Sequence, residues 1–244
     1  MANPYFQFKQ FTVYQQHAGM KVTTDACLFG ALTAEYFAAK LANNTNQIST
    51  VLDIGTGTGL LSLMVAQKTA SFIDAIEIEA SACLDAQQNF ASSPFSEKIK
   101  LWHADIKEFS FDKKFDFIIS NPPFYELDLL SPDKKINAAR HDESLTLAVL
   151  INKVKSLLTE AGSFAVLLPY NRSNYFIQQS LEADLHLSLQ YSIRPTPKHD
   201  FFRSMLFFER VQKVSKQIAL NIKQDNNDYT AAFIDALKDY YLYL

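Results

Sequence analysis

Apolar and polar positions along the chain switch between two periods, and the switches mark the elements. Phe6, Phe8, Phe11, Val13 and Tyr14 fall at partly alternating positions, as in a short strand or hairpin. Met20-Lys21-Val22-Thr23-Thr24-Asp25 then leads into helical spacing from Ala26 to Leu41, with Thr24 or Asp25 as the expected cap. A polar loop, Asn43 to Gln47, precedes Val51-Leu52-Asp53-Ile54, an apolar run around an acid that reads as a short buried strand. From there strands and helices take turns. Strand patterns cover Phe72 to Ile78, Lys98 to Trp102, Phe115 to Ser120 and Ser163 to Leu168. Helical patterns cover Leu60 to Gln67, Ala80 to Phe90, Leu145 to Leu158 (ended near Gly162) and Asn174 to Ala183. Leu185 to Ile193 and Ser204 to Val211 alternate as a closing antiparallel pair, and Tyr229 to Leu244 is expected to be a helix with an aromatic end. Strands alternating with helices imply an α/β fold on a mostly parallel sheet.

Composition narrows this to one large domain. The chain has 244 residues, 48% of them apolar, enough for a substantial core and little more than one α/β unit. There is no internal repeat or low-complexity linker, and charges interrupt every apolar run before membrane-helix length. Met1-Ala2-Asn3-Pro4-Tyr5 lacks the regions of a signal peptide, and Cys27 and Cys83 match no metal or disulfide spacing. The expectation is a cytoplasmic protein with two reduced core thiols. A net charge of −3 argues against nonspecific coating of nucleic acid and leaves room for a local basic patch.

The chemistry concentrates at two turns. Gly55-Thr56-Gly57-Thr58-Gly59 follows the first buried strand and opens a helix. Alternate glycines let the backbone approach a ligand where a Cβ would intrude, although an ordinary strand-to-helix turn has the same outline. The spacing is G-x-G-x-G, not the G-x-G-x-x-G of nicotinamide binders, and Glu77 lies at the end of the next strand, where nucleotide-binding folds hold a ribose. About 65 residues after the glycines, the Phe115 to Ser120 strand ends in Asn121-Pro122-Pro123-Phe124, a rigid corner that has lost two backbone donors. Open α/β sheets bind ligands at the carboxyl ends of their strands, where both turns lie. His103 and His141 are lone histidines, no cluster has metal-ligand spacing, and no G-x-S-x-G elbow exists.

Together these features resemble the S-adenosylmethionine (SAM) site of class I methyltransferases. The resemblance implies a Rossmann-like fold: a seven-stranded, mostly parallel sheet with helices on both faces and an antiparallel C-terminal pair. It implies SAM as the cofactor and no metal. Asp53 would lie near the methionine amine, Gly55, Gly57 and Gly59 under the cofactor, and Glu77 on the ribose. Asp105 would meet the adenine amine and Ile106 its ring. Lys21, Thr23 and Asp25 would sit over the methionine end, with residues 1–48 as a cap on a domain spanning residues 1–244, and Asn121 at the cofactor's edge.

The same resemblance gives the corner its chemistry. An adenine or amide nitrogen is a poor nucleophile because its lone pair is delocalised. Asn121 offers a side-chain oxygen, and Pro122 a carbonyl, that together orient such a nitrogen through its N–H groups, while Phe124 offers a face for a flat base. Phe11-Thr12-Val13-Tyr14, the Met20 to Asp25 segment, Asp53 to Gly59 and Ser120 to Phe124 occur in one order that is similar to the bacterial tRNA1(Val) adenosine-37 N6-methyltransferases. Ala139-Arg140-His141 and the loop from Arg194 to Arg203 also suit that family. Membership implies tRNA as partner, with no membrane or obligate protein partner. Substrate would be met by Pro123, Tyr125, Lys134, Lys135, Arg140, Arg194, Lys198 and Arg203, with Arg172 nearby in the same basic set. N5-methylation of a protein glutamine, as by release-factor methyltransferases, and methylation of another adenine use the same corner and remain open alternatives.

Overall fold

Strands apolar on both faces need cover on both sides, and the computed structural model supplies it from one continuous chain. It describes residues 3–42, 49–123 and 145–244. The aromatic N-terminal stretch forms a small antiparallel hairpin, β1 (Tyr5–Gln7) and β2 (Thr12–Tyr14), with Phe6 opposite Val13. There follow α1 (Thr24–Ala42), β3 (Thr50–Ile54), α2 (Leu60–Lys68), β4 (Phe72–Glu77), α3 (Ala80–Ala91), β5 (Ile99–His103) and β6 (Phe115–Ser120). The rest comprises α4 (Leu147–Leu157), β7 (Leu158–Pro169), α5 (Ser173–Glu182), β8 (His186–Arg194), β9 (Arg203–Glu209), β10 (Lys216–Asn221) and α6 (Ala231–Leu237).

The main sheet runs β10-β8-β9-β7-β6-β3-β4-β5. β9 pairs antiparallel with both β7 and β8, and every other neighbouring pair is parallel. The expected class I sheet is present, closing antiparallel pair included, with one strand more than the seven anticipated. β10 was missed because its first four residues are exposed at the sheet edge and carry no alternation. Period-two alternation sorts side chains onto the two faces. Val51, Phe117, Ile119, Ala165, Leu167, Met205 and Phe207 pack with α1 and α2, whereas Leu52, Ile54, Ile118, Phe164, Val166, Leu168, Leu206 and Phe208 pack with α4 and α5.

Three ends differ from expectation. The cap of α1 is Thr23, whose Oγ1 accepts from the Ala26 N–H at 3.4 Å, one residue before the expected position. The C-terminal helix stops at Leu237 because the following aromatics turn onto the N-terminal hairpin. There Lys9 N–H donates to the Tyr240 carbonyl at 2.8 Å, Phe8 bridges Tyr241, and the buried Tyr240 hydroxyl donates to Met64 O at 2.9 Å. β7 also starts earlier than the pattern showed and runs through Gly162 from Leu158, opposite an irregularity at Phe115/Phe117. Cys27 and Cys83 are buried free thiols, and burial pushes the Cys27 thiol up to about 12. No helix among the described residues is long and apolar enough to cross a membrane.

Helix α3 ties the N-terminal segment to the sheet. Asp85 and Asn89, one turn apart, are both fully buried. Asp85 accepts from His17 N–H (2.9 Å), Ala18 N–H (2.8 Å) and the His17 ring (2.8 Å). Burial pushes the Asp85 carboxyl up, but the Ala18 amide and the His17 ring and amide outweigh it and hold the group below its ordinary value. Asn89 accepts from Tyr14 N–H at 2.7 Å and donates to the carbonyls of Tyr14 (2.9 Å) and Thr58 (2.8 Å). One amide thus joins the hairpin to the glycine turn. Asn89→Ala would leave three backbone groups without partners, so a loss of about 2–4 kcal/mol is expected in urea unfolding, with an unchanged denaturant slope. A change below about 0.5 kcal/mol would mean that water replaces all three bonds.

Candidate active site

The site is built at the carboxyl ends of β3, β4 and β6, where the parallel strands stop in step. Ile54 is in register with Ile76 on β4 and with Ser120 on β6, so the glycine turn, Glu77 and Asn121 leave the sheet side by side. All three turn glycines lie in the left-handed region, at φ +70°, +57° and +82° for Gly55, Gly57 and Gly59. Their surroundings differ. A Cβ on Gly59 would lie 2.3 Å from the Phe90 ring of α3, whereas Cβ atoms on Gly55 and Gly57 would meet nothing within 4 Å. Gly59 is therefore required by packing, while Gly55 and Gly57 present bare backbone to an open hollow.

Asp53 forms the floor. It has no exposed surface, and its Oδ2 accepts from the hydroxyls of Thr56 and Ser62, each at 2.7 Å. Its Oδ1 is buried and has no partner among the described residues. Burial is the largest influence on this carboxyl, and Glu77 adds repulsion. The two hydroxyls oppose both without cancelling them, and the group is pushed up to about 6. Asn121 carries the second orphan, a buried Oδ1 with no partner among the described residues. Asp53 pairs with Ile119, two residues before Asn121, so the register separates the two backbone positions by roughly 8 Å. Beneath Asn121, the Ser120 hydroxyl donates to Ile54 O at 2.8 Å and locks the two strand ends together. Pro122 is buried and Pro123 exposed.

Glu77, expected as a ribose ligand, is a scaffold for the turn. Its Oε2 accepts from Gly57 N–H at 2.8 Å, and its Oε1 from Ile78 and Glu79 N–H, each at 2.9 Å. Three of its four lone-pair positions hold the glycine turn and the entry to α3, leaving one for a ligand hydroxyl. Asp105 stands at the end of β5, accepting from Lys107 N–H at 2.8 Å, and Ile106 is buried against Leu52, Ile54 and Ile76.

The other expected site residues fall into three groups. Lys21 donates to the carbonyls of Gln15 and Ala18, and so closes the N-terminal loop on itself. Thr23 caps α1, and Asp25 pairs with Arg203 Nε at 2.7 Å, joining α1 to β9. Arg194 donates from Nε to Asn221 Oδ1 at 2.6 Å, and the exposed Lys198 lies 3.7 Å from Asp225. Phe124, Tyr125, Lys134, Lys135, Arg140 and His141 lie outside the described residues. The sequence reading missed Thr56, Ser62, Asp85 and Asn89. The signal was present in α3, where two short polar side chains one turn apart sit on the apolar face beside Ala82, Ala86 and Phe90.

The chain is similar to known proteins along most of its length. The methyltransferase small-domain family matches residues 19–169. A tRNA1(Val) (adenine(37)-N6)-methyltransferase from Parabacteroides distasonis is 36% identical over 245 residues, covering 99% of both chains. One from Dyadobacter fermentans is 38% identical over 245 residues, covering 98% of each. Among solved structures, a predicted O-methyltransferase from Agrobacterium tumefaciens matches at a TM-score of 0.66 and 16% identity, over 88% of this chain and 96% of its own. A putative class I SAM-dependent methyltransferase from Listeria monocytogenes matches at 0.58 and 15%, over 82% and 67%. At these identities the two structures speak for the fold alone.

Asp53 gives a test of the electrostatics. Its folded-state pKa is raised above the ordinary carboxyl value, so the folded protein binds the extra proton and stability falls as pH rises from about 4 to about 6. Asp53→Asn keeps an acceptor for Thr56 and Ser62 and removes the buried charge. The variant should gain on the wild type by up to about 3 kcal/mol more at pH 8 than at pH 4. Equal differences at the two pH values, measured by chemical denaturation, would show that Asp53 does not titrate in that window.

Proposed function

Because the chain belongs to the tRNA1(Val) (adenine(37)-N6)-methyltransferase family, within the methyltransferase small-domain class, we propose that it transfers a methyl group from SAM to the exocyclic N6 of adenosine 37 in tRNA1(Val). The observation that carries the reading is the pair of buried oxygens without a partner among the described residues, Asp53 Oδ1 on β3 and Asn121 Oδ1 just past the end of the neighbouring β6, beside a turn whose Gly55 and Gly57 face open space. A buried acceptor without a donor costs stability, and a ligand that brings a donor to each of these oxygens would recover it.

The residues fit SAM. Asp53 Oδ1 suits its ammonium group, the Gly55 and Gly57 backbone leaves room beneath it, and the remaining position on Glu77 suits a ribose hydroxyl. Asp105 and Ile106 would take the adenine amine and ring, and Lys21, Thr23, Asp25 and the rest of residues 1–48 would form the cap. When bound, SAM supplies an electrophilic methyl on a sulfonium. The protein's own task is to present the nitrogen. Asn121 Oδ1 and the Pro122 carbonyl each accept one N–H of the adenine amine, which turns the lone pair out of conjugation and fixes its direction. Phe124 would stack on the base, with Pro123 and Tyr125 beside it. Arg194 and Lys198, together with Lys134, Lys135 and Arg140, are proposed to meet the tRNA backbone, with Arg203 steadying the cap through Asp25. The enzyme would work in the cytoplasm, where its substrate is.

Asn121→Ala tests the chemistry. The strand, both prolines and the glycine turn remain, so SAM binding by calorimetry should match the wild type. Single-turnover methylation of unmodified tRNA should fall by about 10²- to 10³-fold, the size seen when one hydrogen-bonding group acting on a transition state is removed. Wild-type turnover in this variant would reduce the corner to a structural turn.

A further inference from the structure

At the same end of the sheet, one strand beyond Asn121, an aromatic stack projects from the surface. Tyr170 follows the last residue of β7 and is 40% exposed. Its ring lies 5.1 Å from that of Phe201, centroid to centroid, tilted by 38°. The Arg194 guanidinium stands over Phe201 at 5.1 Å, and its Nε is held by Asn221 Oδ1 on β10 at 2.6 Å. The backbone fixes the arrangement too. Tyr170 N–H donates to Phe202 O at 3.1 Å, and Phe202 N–H to Ile193 O at 2.9 Å. The loop from Arg194 to Arg203 is thus clamped at both ends, and its aromatic residue supports an exposed ring that already has its neighbour in place.

A large exposed aromatic costs solvation, and a tyrosine backed by a second ring and a guanidinium is a rigid flat surface needing little further ordering to take a planar partner. Its position limits what that partner is. Ser120 pairs with Val166, so Asn121 is level with Leu167, and Tyr170 comes three residues later, directly after the end of the neighbouring β7. At strand spacings this is roughly 11 Å from the corner. That is too far for the base held at Asn121 and within reach of a nucleotide beside it on an unstacked strand.

We infer that Tyr170, seated on Phe201 and Arg194, stacks on a nucleobase flanking the target adenosine, and so sets the register of the single-stranded RNA loop on the enzyme. This rests on the RNA reading above. Sequence-tolerant stacking of a neighbour is how single-stranded RNA is held when the base that reacts must be splayed away. Arg194 then acts as a positioning residue for the platform in addition to any contact with phosphate.

The test uses the full chain and an unmodified anticodon stem-loop RNA, with 2-aminopurine placed in turn on each side of adenosine 37. In the wild type, one of the two probes should be quenched on binding. Tyr170→Ala should abolish that quenching and raise KM for RNA about 5- to 150-fold, with SAM affinity and kcat at saturating RNA close to wild type. Tyr170→Phe should restore both quenching and KM, which a loss through misfolding would not allow. If the wild type methylates the RNA and Tyr170→Ala leaves quenching and KM unchanged, the platform is overturned while the RNA reading stands. If the wild type methylates no RNA, the RNA reading fails first and takes the platform with it.

Discussion

Everything at the site depends on a turn that the polypeptide backbone does not take readily. Gly55, Gly57 and Gly59 all hold positive φ within five residues, and the turn carries the chain from a buried strand into a buried helix. Such a turn persists only where its polar groups are taken up. Ile76 O accepts from the amides of Gly55 and Thr56, Glu77 from that of Gly57, and Asn89 donates to the carbonyl of Thr58. Phe90 closes on Gly59 so tightly that a methyl group has no room. The elements around the turn, β4 and α3, therefore serve as its clamps, and the N-terminal hairpin is tied to the same helix through Asp85 and Asn89.

The clamped turn makes an unfavourable feature tolerable. Asp53 is a carboxylate with no exposed surface, and one of its oxygens has no partner among the described residues. Two hydroxyls from the turn and the following helix satisfy the other. Burying a half-satisfied carboxylate next to Glu77 sacrifices stability in the free protein, and under the proposed function that is the cost of holding an acceptor ready for the cofactor's ammonium group. Asn121, just past the end of β6, likewise has a buried oxygen with no partner among the described residues; Ser120 locks the strand end before it, and the two prolines after it bring no backbone donors. The strand ends thus carry two buried acceptors that the described residues leave unpaired, and the clamped turn and the β3–β6 lock hold them in place.

Much of this was legible because the residues concerned obey strong local rules. A both-faces-apolar run such as Phe115 to Ser120 has few options, and its strand limits match the pattern to the residue. The glycine spacing announced its turn through a backbone requirement that other residues cannot meet, and the two prolines marked where β6 stops. What was not legible came from tertiary contacts. β10 forms against β8 without an alternating pattern of its own, and α6 ends early because Tyr240 and Tyr241 find the N-terminal hairpin. The double use of Glu77, and the roles of Asp85 and Asn89, depend on which backbone groups the fold brings opposite them. Nothing local encodes that beyond an unexpected polar residue on an apolar helix face.

The central claim is that this acceptor arrangement receives the amine of one adenosine in a tRNA, and product identification tests it most directly. The purified protein would be incubated with labelled SAM and, separately, an unmodified tRNA1(Val) transcript, the same transcript with guanosine at position 37, and bacterial release factors. The account predicts N6-methyladenosine at position 37 of the first transcript, and no label in the second or in the proteins. Label on a release-factor glutamine, or equal label in both transcripts, would contradict it.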